Sequence, residues 1–322
     1  MAQDSTTWTT FAWRGFRMEV PLQWDLGAFD GDDDIGYLRL DGLYIPRLEI
    51  RWKRARPRTS IDNAARVYLD SLSRANRRRN TALTSQPKPL DLTLPDSRDL
   101  QVRGYRWKDP QVECVAAVVL CAHCRRVSVL QMFFPPETFS ARVYKRVLGS
   151  FYDHNPPDQA HWGCYLMHLR TPDTWQMTGH KFNPGYAELN FADRYNFQAD
   201  FRRWGPASVI LQDSDLEEWA KQNWSTGLFP DNITNFERSG EPALLTRRTG
   251  SGILAPIRRT IGRGTRIRKA LYWQCTAWHC PQSDRLWMVD IFSRSEPQAE
   301  DADYQVLCHQ MMPAEFTASG KY

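Results

Sequence analysis

The chain carries one short sequence pattern twice, at an interval much longer than that of any stacked repeat. Pro21-x-x-Trp24 recurs as Pro172-x-x-Trp175, an offset of 172 − 21 = 151 residues. Gly36-Tyr37 recurs as Gly185-Tyr186, an offset of 185 − 36 = 149 residues. Solenoid repeats have periods of roughly 20–50 residues, so this interval predicts two copies of a whole domain.

The length of the chain agrees with two copies. Its 322 residues leave room for about two domains of ~150 residues each. Hydrophobic residues make up 42% of the chain and aromatic residues 12%, which is enough to fill two ordinary cores. The predicted bounds are a first domain over 12–152, a Pro-rich linker over 153–163, a second domain over 164–312 and a tail over 313–322.

The hydrophobic spacing predicts an α+β fold. Alternating apolar residues indicate strands on both sides of a helix that begins near Ser60, and a second helix begins near Pro136. The second copy repeats this order and ends in a closing helix over Glu300–Met311. We therefore expect two tandem α/β/α sandwich domains, each a mostly antiparallel sheet of about six strands in the order β-β-β-α-β-β-β-α. Residues 1–12 are expected to be frayed.

Two motifs of the first copy resemble those of the PsbP-like family. Phe16-x-Met18-x-Val20-Pro21-x-x-Trp24 opens the domain, and Val147-Leu148-Gly149-Ser150-Phe151 closes it. The family includes the photosystem extrinsic protein PsbP, a Ran-binding nuclear-import factor and the bacterial DcrB lipoproteins. The resemblance implies an α/β/α sandwich that works as a binding or assembly protein, with no catalytic residue carried over. The second copy lacks the closing Ser-Phe.

A cysteine motif is the sharpest candidate for a site. Cys121-x-x-Cys124 has the two-residue spacer that lets two thiolates reach one tetrahedral zinc ion. Cys280 falls 280 − 124 = 156 residues after Cys124 and is preceded by His279. A shared zinc site would then take Cys121, Cys124, His279 and Cys280 as ligands. The alternatives are thiol redox chemistry and plain burial of small apolar cysteines in strands.

A basic segment offers a second candidate site. Arginines follow one another between positions 247 and 268 with no acidic residue among them. The guanidinium group pairs bidentately with phosphate or carboxylate, so this segment is a candidate anion-binding surface for nucleic acid or another polyanion. The alternative is a pair of solvated strands joined by a loop. The arginines concerned are Arg247, Arg248, Arg258, Arg259, Arg263, Arg266 and Arg268.

Other motifs exclude rather than suggest functions. The chain has no G-x-S-x-G and no H-E-x-x-H, so the sequence predicts no catalytic residues and favours a non-enzymatic protein. No apolar run reaches the ~18 residues of a membrane span, and the amino terminus does not resemble a secretory signal. We expect a cytoplasmic protein that binds a protein partner. The alternatives are a basic adaptor for a polyanion and a zinc- or thiol-dependent site.

Overall fold

The structure is a computed structural model, and it describes residues 6–43, 45–79, 83–95, 99–135, 137–194, 197–224, 232–238, 240–254, 269–294 and 304–308. Within these ranges the side chains of residues 79, 250–254 and 269–271 are not described. The described chain divides into two compact units. The first comprises residues 6–156 and 160–168, and the second comprises residues 157–159 and 169–308.

Strands outnumber helices in the first half of the chain. Its elements are β1 Trp8–Trp13, β2 Phe16–Pro21, β3 Asp25–Gly31, β4 Ile35–Asp41, β5 Pro46–Arg54, α1 Ile61–Arg79, β6 Ser85–Leu90, β7 Leu100–Lys108, β8 Glu113–Cys121, β9 Arg126–Phe134 and α2 Ala141–Gly149.

The second half follows a similar order. Its elements are β10 Gln159–Cys164, β11 Met167–Pro172, β12 Gln176–Asn183, β13 Tyr186–Ala192, β14 Gln198–Trp204, α3 Ala207–Ile210, α4 Leu216–Asn223, β15 Asn232–Arg238, β16 Glu241–Leu254, β17 Lys269–Cys280, β18 Arg285–Ser293 and β19 Gln305–Val306.

Each unit is built on a seven-stranded sheet, and the two sheets share one topology. The first has the order β3-β4-β5-β9-β8-β7-β6 and the second the order β12-β13-β14-β18-β17-β16-β15. Neighbouring strands run antiparallel throughout both sheets. Numbered along the chain, the strands of both sheets follow the order 1-2-3-7-6-5-4. The predicted α+β fold with mostly antiparallel sheets is confirmed at this level.

The centre of the first sheet is β8, which is buried along its whole length. Burial of a strand on both faces favours a continuous apolar run, and Val115–Leu120 provides it. Helix α1 covers one face, packing Ile61 and Tyr68 into a core with the even-numbered residues of β8. The Ser60 hydroxyl accepts a hydrogen bond from the Asn63 amide at 3.2 Å, so the predicted helix start is confirmed.

Helix α2 packs against β2. Its Arg146 forms an ion pair with Glu19 of β2 at 2.8 Å. The hydroxyl of Ser150, just past the helix, accepts a hydrogen bond from the Glu19 amide at 2.8 Å. The chain then continues as a short extended segment, and a β-bridge joins Tyr152 to Arg17 of β2. The segment that follows α2 is thereby held beside the start of the unit.

Three details differ from the sequence-based expectations. Residues 8–12, expected to be frayed, belong to β1, which pairs with β2 over six residues. Each unit's main sheet has seven strands rather than six, because two further edge strands join it: β3 and β6 in the first unit, β12 and β15 in the second. The predicted opening strand Phe16–Val20 is β2, which lies outside this sheet in a separate five-stranded sheet. The closing helix predicted over Glu300–Met311 is wrong at residues 304–308, where the structure has β19 and no helix.

Candidate metal centre

The turn between β8 and β9 places two thiols side by side. Strand β8 ends at Cys121 and β9 begins at Arg126, which leaves a four-residue turn. Arg125 closes this turn in the left-handed region with φ 57°. Within the turn the two-residue spacer returns Cys124 to the side of Cys121. The sequence prediction that these two cysteines act together agrees with this geometry.

The segment after α2 brings two more donors to the turn. The Arg17 amide donates to the Tyr152 carbonyl at 3.1 Å, and the Tyr152 amide donates to the Arg17 carbonyl at 2.8 Å. This reciprocal pair fixes the backbone immediately before Asp153 and His154. Both side chains then reach the β8–β9 turn, although they are about 30 residues away in sequence.

The four side chains form a compact group. One ligand atom from each of Cys121, Cys124, Asp153 and His154 lies within 4.8 Å of all the others. The Cys124 thiol donates to Asp153 Oδ2 at 2.9 Å, and Cys121 Sγ lies 3.7 Å from His154 Nδ1. Cys121 and Asp153 are buried, whereas Cys124 and His154 are half-buried. The group therefore sits at the edge of the core with one side near solvent.

Neighbouring groups orient the carboxylate. The Ser128 hydroxyl donates to Asp153 Oδ1 at 3.1 Å, so both oxygens of Asp153 are engaged. Arg126 Nη1 donates to the Asp153 carbonyl at 3.0 Å and to the Arg14 carbonyl at 3.3 Å. Hydrogen bonds of this kind around ligating side chains fix their orientation and raise metal affinity.

The proton equilibria of the group are strongly coupled. Burial raises the pKa of Asp153 to about 6, and the charge of Arg126 partly opposes this effect. A hydrogen bond with Cys124 is the main cause that lowers the pKa of Cys121, and His154 contributes a second hydrogen bond. The hydrogen bond with Cys121 raises the pKa of Cys124. A separate hydrogen bond with Cys121 raises the pKa of His154. The Cys121 thiol is thus the group most readily converted to thiolate, the form that binds metals.

The donor set fits zinc. Two sulfurs, one imidazole nitrogen and one carboxylate oxygen are all ordinary zinc ligands, and thiolates select against Mg²⁺ and Ca²⁺. Zn–S and Zn–N bonds of about 2.3 and 2.0 Å place tetrahedral ligand atoms roughly 3.3–3.8 Å apart. The 4.8 Å limit of the group is within about 1 Å of this spacing. Zinc with two thiolates and one carboxylate has a net charge of −1, which the adjacent guanidinium of Arg126 offsets.

The other predicted site residues that the structure describes belong to the second unit. His279 and Cys280 end β17 in the second unit, where Cys280 is buried. Arg247 is exposed on β16 and donates to Gln274 at 3.0 Å, and Arg248 next to it is half-buried. The remaining arginines of the predicted anion site, Arg258, Arg259, Arg263, Arg266 and Arg268, lie outside the described residues.

Sequence reasoning missed Asp153 and His154 as partners of the two cysteines. It assigned both to a linker, since nothing in their spacing relates them to Cys121. The available signal was the pair Ser150-Phe151, which marks the end of the domain and therefore a segment that returns to the sheet.

In the part of the chain that the structure describes, helices long and apolar enough to cross a membrane are absent.

Comparison with known proteins adds little to this geometry. No protein-family profile and no curated protein matches the chain. Among solved structures, the chain is similar to the apo structure of the immunity protein TplEi of the T6SS from Pseudomonas aeruginosa. That similarity has a TM-score of 0.36 and 10% identity, and it covers 92% of this chain and 90% of the other. A similarity at this level does not define a shared fold, and no argument below depends on it.

Proposed function

We propose that this chain is a non-enzymatic, zinc-binding assembly protein whose first unit holds the ion through Cys121, Cys124, Asp153 and His154. The observation that carries the proposal is the convergence of their four ligand atoms within 4.8 Å. Four protein ligands fill a tetrahedral zinc shell and leave no open position for substrate, which is typical of structural rather than catalytic zinc. The ion would fasten the β8–β9 turn to the segment after α2.

The proposal includes two tandem PsbP-like α/β/α sandwich domains over 12–152 and 164–312, joined by the linker 153–163. The common strand order 1-2-3-7-6-5-4 supports it, as does the position of the helices between the third and fourth strands of each sheet. If Asp153 and His154 are ligands, the first domain extends beyond residue 152 into the predicted linker.

A protein is the partner that we propose. Antiparallel sheets with free edges can accept a further strand from another chain, and β12 and β15 are the edges of the second sheet. A polyanion is the alternative partner, supported by the exposed Arg247. Because the seven cysteines are all free and thiolate zinc ligands must stay reduced, a cytoplasmic location suits the protein.

Metal analysis of the purified full chain tests the zinc proposal. We expect bound zinc after purification under reducing conditions, and the substitution Cys124→Ser should remove about one equivalent. Cys114→Ser is the matched control, because Cys114 is buried in β8, the strand that ends at Cys121, but lies outside the group. Cobalt replacement should add the visible absorption of tetrahedral thiolate coordination. Equal zinc content in the wild type and in Cys124→Ser would overturn the proposal.

The proposed partner is tested separately. Affinity purification of the tagged chain should recover a stoichiometric protein at physiological salt. Binding that appears only to nucleic acid, and that falls steeply as salt rises, would instead favour the polyanion.

A further inference from the structure

The second unit has a cysteine at the position that Cys121 occupies in the first. Strand β17 ends at Cys280 and β18 begins at Arg285, so a four-residue turn follows Cys280 as one follows Cys121. The last residue of this turn, Asp284, has φ 52°, matching Arg125 of the first turn. The structural counterpart of Cys280 is therefore Cys121, at 280 − 121 = 159, and not Cys124 as the sequence offset suggested. Cys124 itself corresponds to Ser283.

The closing segment of the second unit can be matched in the same way. Leu169 of β11 corresponds to Met18 of β2, since 169 − 18 = 151 is the offset of the Pro-x-x-Trp motifs. The partner of Leu169 is Val306. In the first unit Arg17 pairs with Tyr152, and extending this antiparallel register by one residue would set Phe151 opposite Met18. Val306 thus corresponds to Phe151.

Two residues beyond Val306 lies a further cysteine. Since Val306 corresponds to Phe151, Cys308 corresponds to Asp153. Burial raises the pKa of the half-buried Cys308 thiol, and an interaction with the fully buried Cys280 thiol raises it further. The two positions that approach each other in the first unit thus also approach each other in the second, and both carry sulfur there.

The second site lacks a cysteine at one position of the first site and has one at another position instead. The first site has Cys124 where the second has Ser283, and it has Asp153 where the second has Cys308. Each site keeps two cysteines, although only one of them stands at the same position. The Ser283 hydroxyl donates to the Cys280 carbonyl at 3.5 Å, within the β17–β18 turn. In the sequence His309 follows Cys308, as His154 follows Asp153; His309 lies outside the described residues.

We propose that Cys280 and Cys308 are the thiolate ligands of a second zinc site, which ties the closing strand β19 to the β17–β18 turn. Two sulfur donors supply half of a tetrahedral set and select zinc over the hard cations Mg²⁺ and Ca²⁺. The inference rests on the zinc site proposed for the first unit, because the correspondence of positions transfers its chemistry. It implies two metal ions per chain and a matching role for each, fixing the last segment of a unit to its own sheet.

Zinc stoichiometry of single variants of the full chain tests this inference. We expect about two zinc ions in the wild type, and about one in both Cys308→Ser and Cys124→Ser. Cys164→Ser, which alters a buried cysteine at the end of β10, should retain two. A chain with one zinc that Cys124→Ser removes and Cys308→Ser retains would overturn the second site alone. One zinc with the reverse pattern would overturn the first site and uphold the second.

A measurement on the unaltered chain guards against variants that do not fold. Iodoacetamide labelling of wild-type protein, followed by peptide mass spectrometry, reports the reactivity of each thiol. Added zinc should protect Cys308 from alkylation, and a chelator should restore the reactivity. Labelling of Cys308 that is the same with zinc and with chelator would overturn the proposed site.

Discussion

The two sheets share one strand order, but the polar residues in one equivalent row differ in their exposure to water. In the first unit the row across β4, β5 and β9 contains Arg39, Glu49 and Gln131, which are directly paired in register. All three are half-buried, and Glu49 accepts a hydrogen bond from the Tyr37 hydroxyl at 3.1 Å. Water can still reach this row, so its polar groups need few internal partners.

The corresponding row of the second unit is closed off from water. Asn190, Asp200 and Asp290 pair in the same register and are all buried. Each has internal partners: Asn190 donates to Asp200 at 2.8 Å, and Asp290 binds Arg202 and accepts from Trp273 Nε1 at 2.8 Å. The comparison teaches that one topology tolerates a wet or a dry polar row, provided that the dry row pairs every charge.

Removing the innermost carboxylate should separate the two units most clearly. Asp290→Ala leaves the guanidinium of Arg202, which is largely shielded from water, without its carboxylate partner. We expect this to cost about 3–5 kcal/mol of unfolding free energy. The counterpart Gln131→Ala should cost only about 1 kcal/mol, because its row is partly solvated. Hydrogen exchange resolved by unit measures both losses. Equal losses in the two variants would contradict the contrast between a dry and a wet row.

The next effect concerns a position that is polar in one unit and apolar in the other. Ser128 supports Asp153, whereas its counterpart at 128 + 159 = 287 is the buried Trp287. Ser128→Ala should lower zinc affinity of the first unit by about 10–100-fold, since a ligand loses its orienting hydrogen bond. Competition with a chromogenic chelator measures it, with Ser71→Ala on the exposed face of α1 as control. Unchanged affinity in Ser128→Ala would show that Asp153 is not a ligand.

A smaller effect should appear as a pH dependence of the second unit. Burial raises the pKa of Asp200 to about 6, with Arg202 opposing the rise and Glu188 adding to it. Between about pH 4 and 6 the folded state therefore binds more protons than the unfolded state, and stability falls as pH rises, by up to about 1.4 kcal/mol per pH unit. Asp200→Asn should flatten this slope in thermal melts. A slope that persists unchanged in Asp200→Asn would assign it to another group.

The smallest effect is expected at the surface. Arg103 of β7 pairs with Asp62 of α1 at 2.9 Å, and both side chains are largely exposed. Because exposed ion pairs are screened by water and salt, Arg103→Ala should change the unfolding free energy by less than about 0.5 kcal/mol. Urea denaturation measures the change. A loss above 1 kcal/mol would mean that α1 depends on this pair rather than on its apolar face.

Much of the fold could be predicted from periodicity. The apolar run Val115–Leu120 of β8, the helix start at Ser60 and the antiparallel arrangement all follow from local patterns. Strand β1 was missed because its threonines resemble a frayed terminus, and its conformation depends on pairing with β2 and with β10. Strand β3 was missed because its polar residues lie at an exposed edge, where neither face is fully buried.

Only two of the four residues of the candidate site could be predicted from the sequence. The spacing of Cys121 and Cys124 is local, so sequence shows it directly. Asp153 and His154 join them through the bridge between Arg17 and Tyr152, which is a tertiary contact that no spacing rule contains. The correspondence of Cys280 with Cys121 likewise depended on where two strands end. The offset of 156 residues, inferred from matching residue types alone, differs by three residues from the offset of 159 that the strand ends give.

The bridge between Arg17 and Tyr152 has a consequence for how this unit can be cut and rejoined. It brings the last residues of the first unit beside β2, whose other edge carries β1. A short extended peptide, at ~3.3 Å for each residue, would join the two ends. Circular permutation should therefore be tolerated, with new termini opened at the exposed bend around Leu43. The order of elements along the chain is therefore not essential to the fold of this unit, and the same fold could begin at another exposed bend.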